Sequence, residues 1–373
     1  MKTFLRYFFP IVAVTAAAFL LSETALNKIL SLSTYSGRDE SFSFSDFYAR
    51  TAYHGIASMS QDIVLVDIGD LDRAGLALML DSLSVMEPKT IALDVFFRFP
   101  GQEGDGSLVN AVCSNDRIVL PRDANRPELV SFFYEEANDA VFGAVNLPAG
   151  SAREVIRNYC PVFETEDGTL KSFGLLVAEQ LRPDLAARVL QRETSSEFIR
   201  FDGAEFPILD AEEILSGADS TAEIIRGKAV FVGDLNDPQD KHVTPVDNEM
   251  SGLLIHAKIA QTVLSGQQMR VLPHKGVVLI AIIICAFFIW IYLLIRFHPR
   301  FGKAPSLLVR VCQFLLMVLF FYVGFRLYKN HGLMVDFALP MLMLGLGSLA
   351  FDIVFGLFDL FTFFLNPKNT KND

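Results

Sequence analysis

Three aspartates stand directly behind apolar runs: Asp67 after Ile63–Val66, Asp94 after Thr90–Leu93, and Asp234 one glycine beyond Lys228–Val232. If those runs are parallel strands, their carboxyl ends share one edge of a sheet, where α/β folds place ligands. Asp70 and Asp240 would join them there. A cluster of this kind binds a cation or a cationic ligand. The local alternative is that each aspartate only caps the next helix or turns the chain. A second unusual stretch runs Asp240-Lys-His-Val-Thr244-Pro245, then Met250-Ser-Gly252 and His256-Ala257. The proline holds Thr244 extended, and Gly252 opens a helix that bears His256. No P-loop, no G-x-G-x-x-G behind a strand, no G-x-S-x-G elbow and no H-E-x-x-H occurs, and the 6 histidines show no metal-ligand spacing. These absences weigh against an enzyme. No cofactor is expected.

The elements that must position these residues follow a rhythm. After an amphipathic lead-in over 41–60, apolar strands at 63–66, 90–93, 117–120 and 228–232 alternate with helices at 71–85, 105–112 and 252–264. Asp105 reads as the cap of the second of these helices. The middle is less regular, with strands at 140–147 and 198–201 and helices at 174–181 and 209–215. Continuous apolar strands separated by helices predict a largely parallel sheet covered on both faces.

The ends of the chain have a different chemistry. Hydrophobic residues make up 51 % of the 373, with 34 phenylalanines, and the excess lies in the first 22 residues and the last hundred. A spanning helix needs roughly 20 apolar residues, and four runs approach that length: Tyr7–Leu21, Gly276–Ile295, Val311–Phe325 and Phe337 to about Leu357. They lack the alternation of a barrel, so they read as helices. The first run resembles a signal peptide, but Glu23 and the lack of a clear A-x-A site favour an uncleaved anchor. Lys2, Arg6, Arg296, Arg300, Lys303, Arg310, Lys368 and Lys371 all fall on one side if there are four spans, which makes that side cytoplasmic. Asp352 and Asp359 lie seven apart and share one face of the last helix. Carboxylates in a span are expensive and usually functional, so both are candidate contacts for a partner in the membrane.

Residues 23–275 hold 22 of the 32 basic and 39 of the 43 acidic side chains, a net charge of −17. Such a surface argues against nucleic acid and anionic lipid headgroups as partners of the outer domain, and ordinary solubility is enough to account for it. Cys113 and Cys160 lie in that domain. They are either a candidate disulfide, which an oxidising compartment would permit, or two isolated buried thiols.

The succession GKAVFVGDLNDPQDKHVTP…MSGLLIHAKIAQTVLSG resembles the closing motif of the CHASE type-2 sensory domains (cyclase/histidine-kinase-associated sensing extracellular). DIVLVDIGD, PKTIALDVFF, EDGTLKSFGLLVAEQL and FPILDAEEILSG extend the resemblance over roughly residues 45–270. It implies an extracytoplasmic sensor followed by three spans. Asp67, Asp94, Asp240, Thr244, Pro245, Gly252 and His256 are shared motif positions, which the family does not itself establish as ligand contacts. The family usually carries a cytoplasmic output after the third span. Here only Leu365–Asp373 follow, so a stand-alone form is expected.

The resulting reading is an α/β extracytoplasmic domain with a largely parallel sheet and four transmembrane helices. Residues 1–24 form the N-terminus and first span, 25–275 the outer domain, and 276–296 the second span. Residues 297–310 form a cytoplasmic loop, 311–328 and 337–359 the remaining spans, and 360–373 a short tail. Asp67, Asp70, Asp94, Asp234, Asp240, Thr244 and His256 are its candidate ligand-binding residues. It sits in the lipid bilayer of the inner membrane and relays a signal to a protein partner, with a homo-oligomer allowed. The alternatives are an accessory subunit of an envelope complex and, behind that, a surface enzyme using the acidic cluster.

Overall fold

The computed structural model describes residues 8–22, 44–53, 58–126, 129, 131–133, 137, 140–148, 155–166, 168–201, 204–296 and 306–365. At 44, 45, 295, 296, 306–309, 358, 359 and 362–365 it describes the backbone alone. The chain forms two compact units. One is Ala49–Met269, and the other combines Met1–Tyr48 with Arg270–Asp373.

Two helices come first, α1 (Phe8–Ser22) and α2 (Phe44–Tyr53). Strand β1 (Ser58–Met59) precedes β2 (Ile63–Asp67), whose apolar residues are all buried. Gly69 turns the chain with φ of 53°. Asp72 then caps α3 (Arg73–Val85), accepting the Gly75 N–H at 2.7 Å. Next come β3 (Thr90–Leu93), α4 (Asp105–Cys113), β4 (Ile118–Arg122) and β5 (Val141–Ala144). A run of smaller pieces follows: β6 (Asn158–Tyr159), the hairpin β7 (Val162–Thr165) and β8 (Gly168–Lys171), α5 (Phe173–Leu181), α6 (Pro183–Leu190), β9 (Glu197–Phe198) and β10 (Ala204–Glu205). The chain returns through β11 (Ile208–Asp210), α7 (Ala211–Leu215) and α8 (Asp219–Ile225) to β12 (Ala229–Gly233). Finally β13 (Lys241–His242) and β14 (Met250–Ser251) lead into α9 (Gly252–Leu264).

Six strands make one sheet in the order β11-β2-β12-β3-β4-β5, with every neighbouring pair parallel. The expected parallel sheet is therefore present. β12, the last of these strands in the chain, enters between β2 and β3, so that Val230 lies beside both Val64 and Ile91. Pleating divides the side chains between two cores. Val64, Val66, Ile91, Leu93, Val230 and Val232 pack on one face with Leu76, Leu80 and Leu83 of α3, Leu108 of α4, Ile214 of α7 and Ile225 of α8. On the other face lie α5 and α9, with Phe173 edge-on to Phe231 at 6.2 Å.

Local details correct the sequence reading. Asp105 is the first helical residue of α4 rather than its cap, because Gly104 takes the cap position with φ of 89°. Its carboxylate instead accepts the Gly101 N–H at 2.7 Å and the Gln102 N–H at 3.1 Å, and it pairs with Arg73. The helix expected over 209–215 divides into edge strand β11 and α7, which Asp210 opens with a capping box.

The second unit contains β15 (Arg270–Val271), α10 (His274–Arg296), α11 (Ser306–His331), β16 (Leu333–Met334) and α12 (Ala338–Leu365). Three helices are long and apolar enough to cross a membrane, over His274–Leu294, Arg310–His331 and Ala338–Leu357. The first span of the sequence reading is represented by α1, an apolar helix shorter than these three. Val14 and Ala18 of α1 pack with Cys285 and Ile289 of α10 and with Met343 and Phe351 of α12. The Gln313 amide of α11 donates to the carbonyls of Leu344 and Gly345 on α12.

Residues 49–269 carry their own sheet and both of its cores. Expressed alone, they are expected to unfold cooperatively with a structured near-UV circular dichroism spectrum, and Leu80→Ala should cost about 2–5 kcal/mol in denaturant titration. A helical far-UV signal without near-UV structure would contradict this.

Candidate functional site

The parallel register gathers the chain exits of β2, β12 and β3 at one edge of the sheet. Asp67 closes β2 beside Gly233, and the backbone N–H of Asp94 donates to the Val232 carbonyl at 2.8 Å. Asp67, Asp94 and Asp234 therefore share that edge, but the three carboxylates do different things. Asp67 accepts from the Leu235 N–H at 3.3 Å and from the Asn236 amide at 3.0 Å, so it ties down the loop that leaves β12. Asp234 accepts the Asn236 N–H at 2.7 Å and shapes the same turn. Asp70 is exposed and makes no hydrogen bond or ion pair among the described residues. Asp94 is half-buried, and among the described residues its carboxylate accepts no hydrogen bond.

The returning loop brings the second stretch over this edge. Thr244 is buried and bonds Asp247 three times: the Thr244 N–H and hydroxyl both donate to the Asp247 carbonyl, at 2.7 and 2.9 Å, and the hydroxyl accepts the Asp247 N–H at 3.0 Å. Its role is to close the turn. Asp240 accepts the Gly252 N–H at 2.9 Å, which places a carboxylate at the positive end of α9. Its other oxygen lies 3.1 Å from Nε2 of His242. A Cβ on residue 252 would stand 2.5 Å from the Asp240 oxygens, so a larger residue there would push the carboxylate away from the start of α9. Further along α9, His256 is 3 % exposed and meets the Phe173 ring edge-on at 5.5 Å. Gly174 lets α5 approach this closely, because a Cβ there would stand 2.5 Å from the His256 carbonyl.

Burial and charge set the protonation of this group. Burial, aided by the negative charge of Asp240, pushes the Asp94 carboxyl up to about 7. Burial lowers His256 to about 4, and His242 adds to the lowering, while Asp240 and a hydrogen bond to the Val145 backbone oppose it. Among the described residues, Nδ1 of the neutral ring has no hydrogen-bond partner. Asp94, Asp240, His242 and His256 thus form one electrostatically coupled group. His242 went unnoticed in the sequence, because the 3₁₀ turn Pro238–Asp240 that brings its ring to the Asp240 carboxylate cannot be read from spacing.

Other parts of the sequence reading are not brought together here. A cavity of about 450 Å³ at the carboxyl end of β4 is lined by Arg122, Asp123, Glu164 and Glu166, and none of the candidate aspartates reaches it. Among the described residues no group of three or more His, Cys, Asp or Glu side chains is disposed to hold a metal ion. Cys113 and Cys160 are not joined in a disulfide: Cys113 ends α4 at an exposed position, and Cys160 turns its thiol to the Val162 carbonyl at 3.0 Å. Asp352 is exposed within the span of α12, and the side chain of Asp359 lies outside the described residues.

The sequence profile of the CHASE2 domain matches residues 13–294, three quarters of the chain. The chain belongs to the CHASE2 domain family. CHASE2 domains are extracytoplasmic sensory domains, and with three membrane-competent helices this chain is a membrane-anchored member. The coupled residues Asp94, Asp240, His242 and His256 all fall within the match. No curated protein and no solved structure matches the chain.

The two perturbed groups act on stability in opposite pH windows. The raised Asp94 stabilises the fold fully below its ordinary value near 3.8, and that contribution is lost as pH rises through about 7. The lowered His256 stabilises above its ordinary 6.5, and its contribution is lost as pH falls through about 4. Asp94→Asn should therefore raise the melting temperature by several degrees at pH 8 and change it little at pH 4. Equal shifts at both pH values in thermal denaturation would refute the assignment.

Proposed function

We propose that this CHASE2 protein is an inner-membrane sensor whose domain lies in the periplasm or outside the cell and passes its signal to a separate partner protein. The family match over residues 13–294 carries the reading. Four spans, with α1 as the first, would put residues 25–275 outside and the basic segments around Arg6, Lys303 and Lys368 in the cytoplasm. The signal would be received at the carboxyl edge of the sheet, where Asp94 and Asp240 make an anionic pair beside the buried His256. That chemistry suits a proton or a cationic small molecule, because either relieves the repulsion between the two carboxylates. Among the described residues no catalytic constellation accompanies them, and the reading is therefore one of binding rather than turnover.

A periplasmic-type reporter fused after Gly217 should be active and one fused after Lys303 inactive. Activity after Lys303 would remove the four-span arrangement. For the sensing site, residues 49–269 should gain thermal stability from at least one cation in a screen of amines and metal ions, and Asp94→Asn should abolish that gain. A gain that survives the substitution would move the receiving site elsewhere.

A further inference from the structure

Two exposed charges of opposite sign lie toward the same end of the membrane unit. Asp352 of α12 and Arg310 of α11 are both exposed, and neither makes an ion pair or hydrogen bond among the described residues. Contacts between the helices fix their levels. Gln313 donates to the Gly345 carbonyl at 3.0 Å and Phe320 stacks on Phe337 at 5.9 Å, so α11 and α12 run antiparallel. Arg310 lies one turn before Gln313 and Asp352 two turns beyond Gly345, which separates them by ~6 Å along the bundle. The thiol of Cys285 contacts the Met343 carbonyl at 3.7 Å and Tyr292 meets Phe351 at 4.7 Å, so α10 runs parallel to α12. On that scale Asp352 sits about one turn inside Arg296, the last residue of α10, and Arg310 ~10 Å inside it.

Arg310, the first residue of the apolar stretch Arg310–His331, is the deeper of the two charges along the bundle, and an arginine at the end of a span extends toward the nearer interface. That direction is toward the level of Asp352, over a distance its side chain can span. Within one chain the two do not meet. Gly356, one turn beyond Asp352 on the same face, is exposed and has nothing within 4 Å of an added Cβ. A glycine there allows a second helix to come close.

We propose that the occupant of this face is a second copy of the chain, with Arg310 of each copy paired to Asp352 of the other. A two-fold axis along the membrane normal keeps both levels matched, so one interface neutralises all four charges. A different protein would need to supply a reciprocal pair at the same spacing. The inference rests on the membrane crossing proposed above, which the reporter fusions test separately.

Two differently tagged full-length copies, co-expressed and extracted in mild detergent, provide the test. Wild-type copies are expected to co-purify. Asp352→Asn or Arg310→Gln in both copies should lower the yield several-fold while insertion in the membrane continues. Asp352→Arg in both copies, or Arg310→Asp in both, should abolish co-purification. A copy with Asp352→Arg mixed with a copy carrying Arg310→Asp should restore it, since opposite charges then meet only between unlike copies. Wild-type copies that stay apart, neutral variants that leave the yield unchanged, or a mixture that stays apart would each overturn the proposal.

Discussion

The insertion of β12 between β2 and β3 is the constraint on which the candidate site depends. Parallel pairing on both sides aligns Gly233 with Asp67 and sends the chain out at the edge where Asp94 also emerges. The chain must then double back over that edge to start α9, and the Asp67 clamp and the Thr244 turn determine its path. Asp240 consequently arrives beneath the first N–H of α9 and near Asp94. An antiparallel β12 would release the same residues at the opposite edge and leave Asp94 without a charged neighbour.

This arrangement opposes burial to charge. Asp240 has the α9 N-terminus and the His242 ring beside it, whereas among the described residues no donor reaches the Asp94 carboxylate, and burial makes it hold its proton toward neutral pH. His256 faces the converse situation, buried and neutral, with one ring nitrogen that finds no partner among the described residues. A group in which one member gains and another loses stability across the same pH range costs something in the resting fold. Natural proteins accept such costs at functional sites.

Much of the sheet was legible because its strands are short apolar runs bounded by turn residues, and because α3 and α9 carry apolar residues at helical spacing. The shared edge followed from parallel pairing, which the intervening helices imply. β11 was hidden: three residues ending in an Asp cap read as the start of a helix, and only the pairing of Ile208 with Leu65 makes them a strand. α6 and α8 were missed because Pro183 looks like a break and Asp219-Ser-Thr like a loop, although both suit a first helical turn. Which aspartates are spent on turns and which one is left over could not be read from spacing, since it depends on the donors the loop after β12 presents. The difference between Asp67 and Asp94 belongs to the tertiary structure.

The central claim is that the fold leaves Asp94 and His256 with displaced proton affinities at the carboxyl edge of the sheet. Carboxyl carbon and imidazole nitrogen NMR titrations of residues 49–269 measure both directly. The account expects Asp94 to titrate near pH 7 and His256 to stay neutral down to about pH 4. An Asp94 that titrates in the ordinary carboxylate range, together with a His256 that titrates near 6.5, would contradict it.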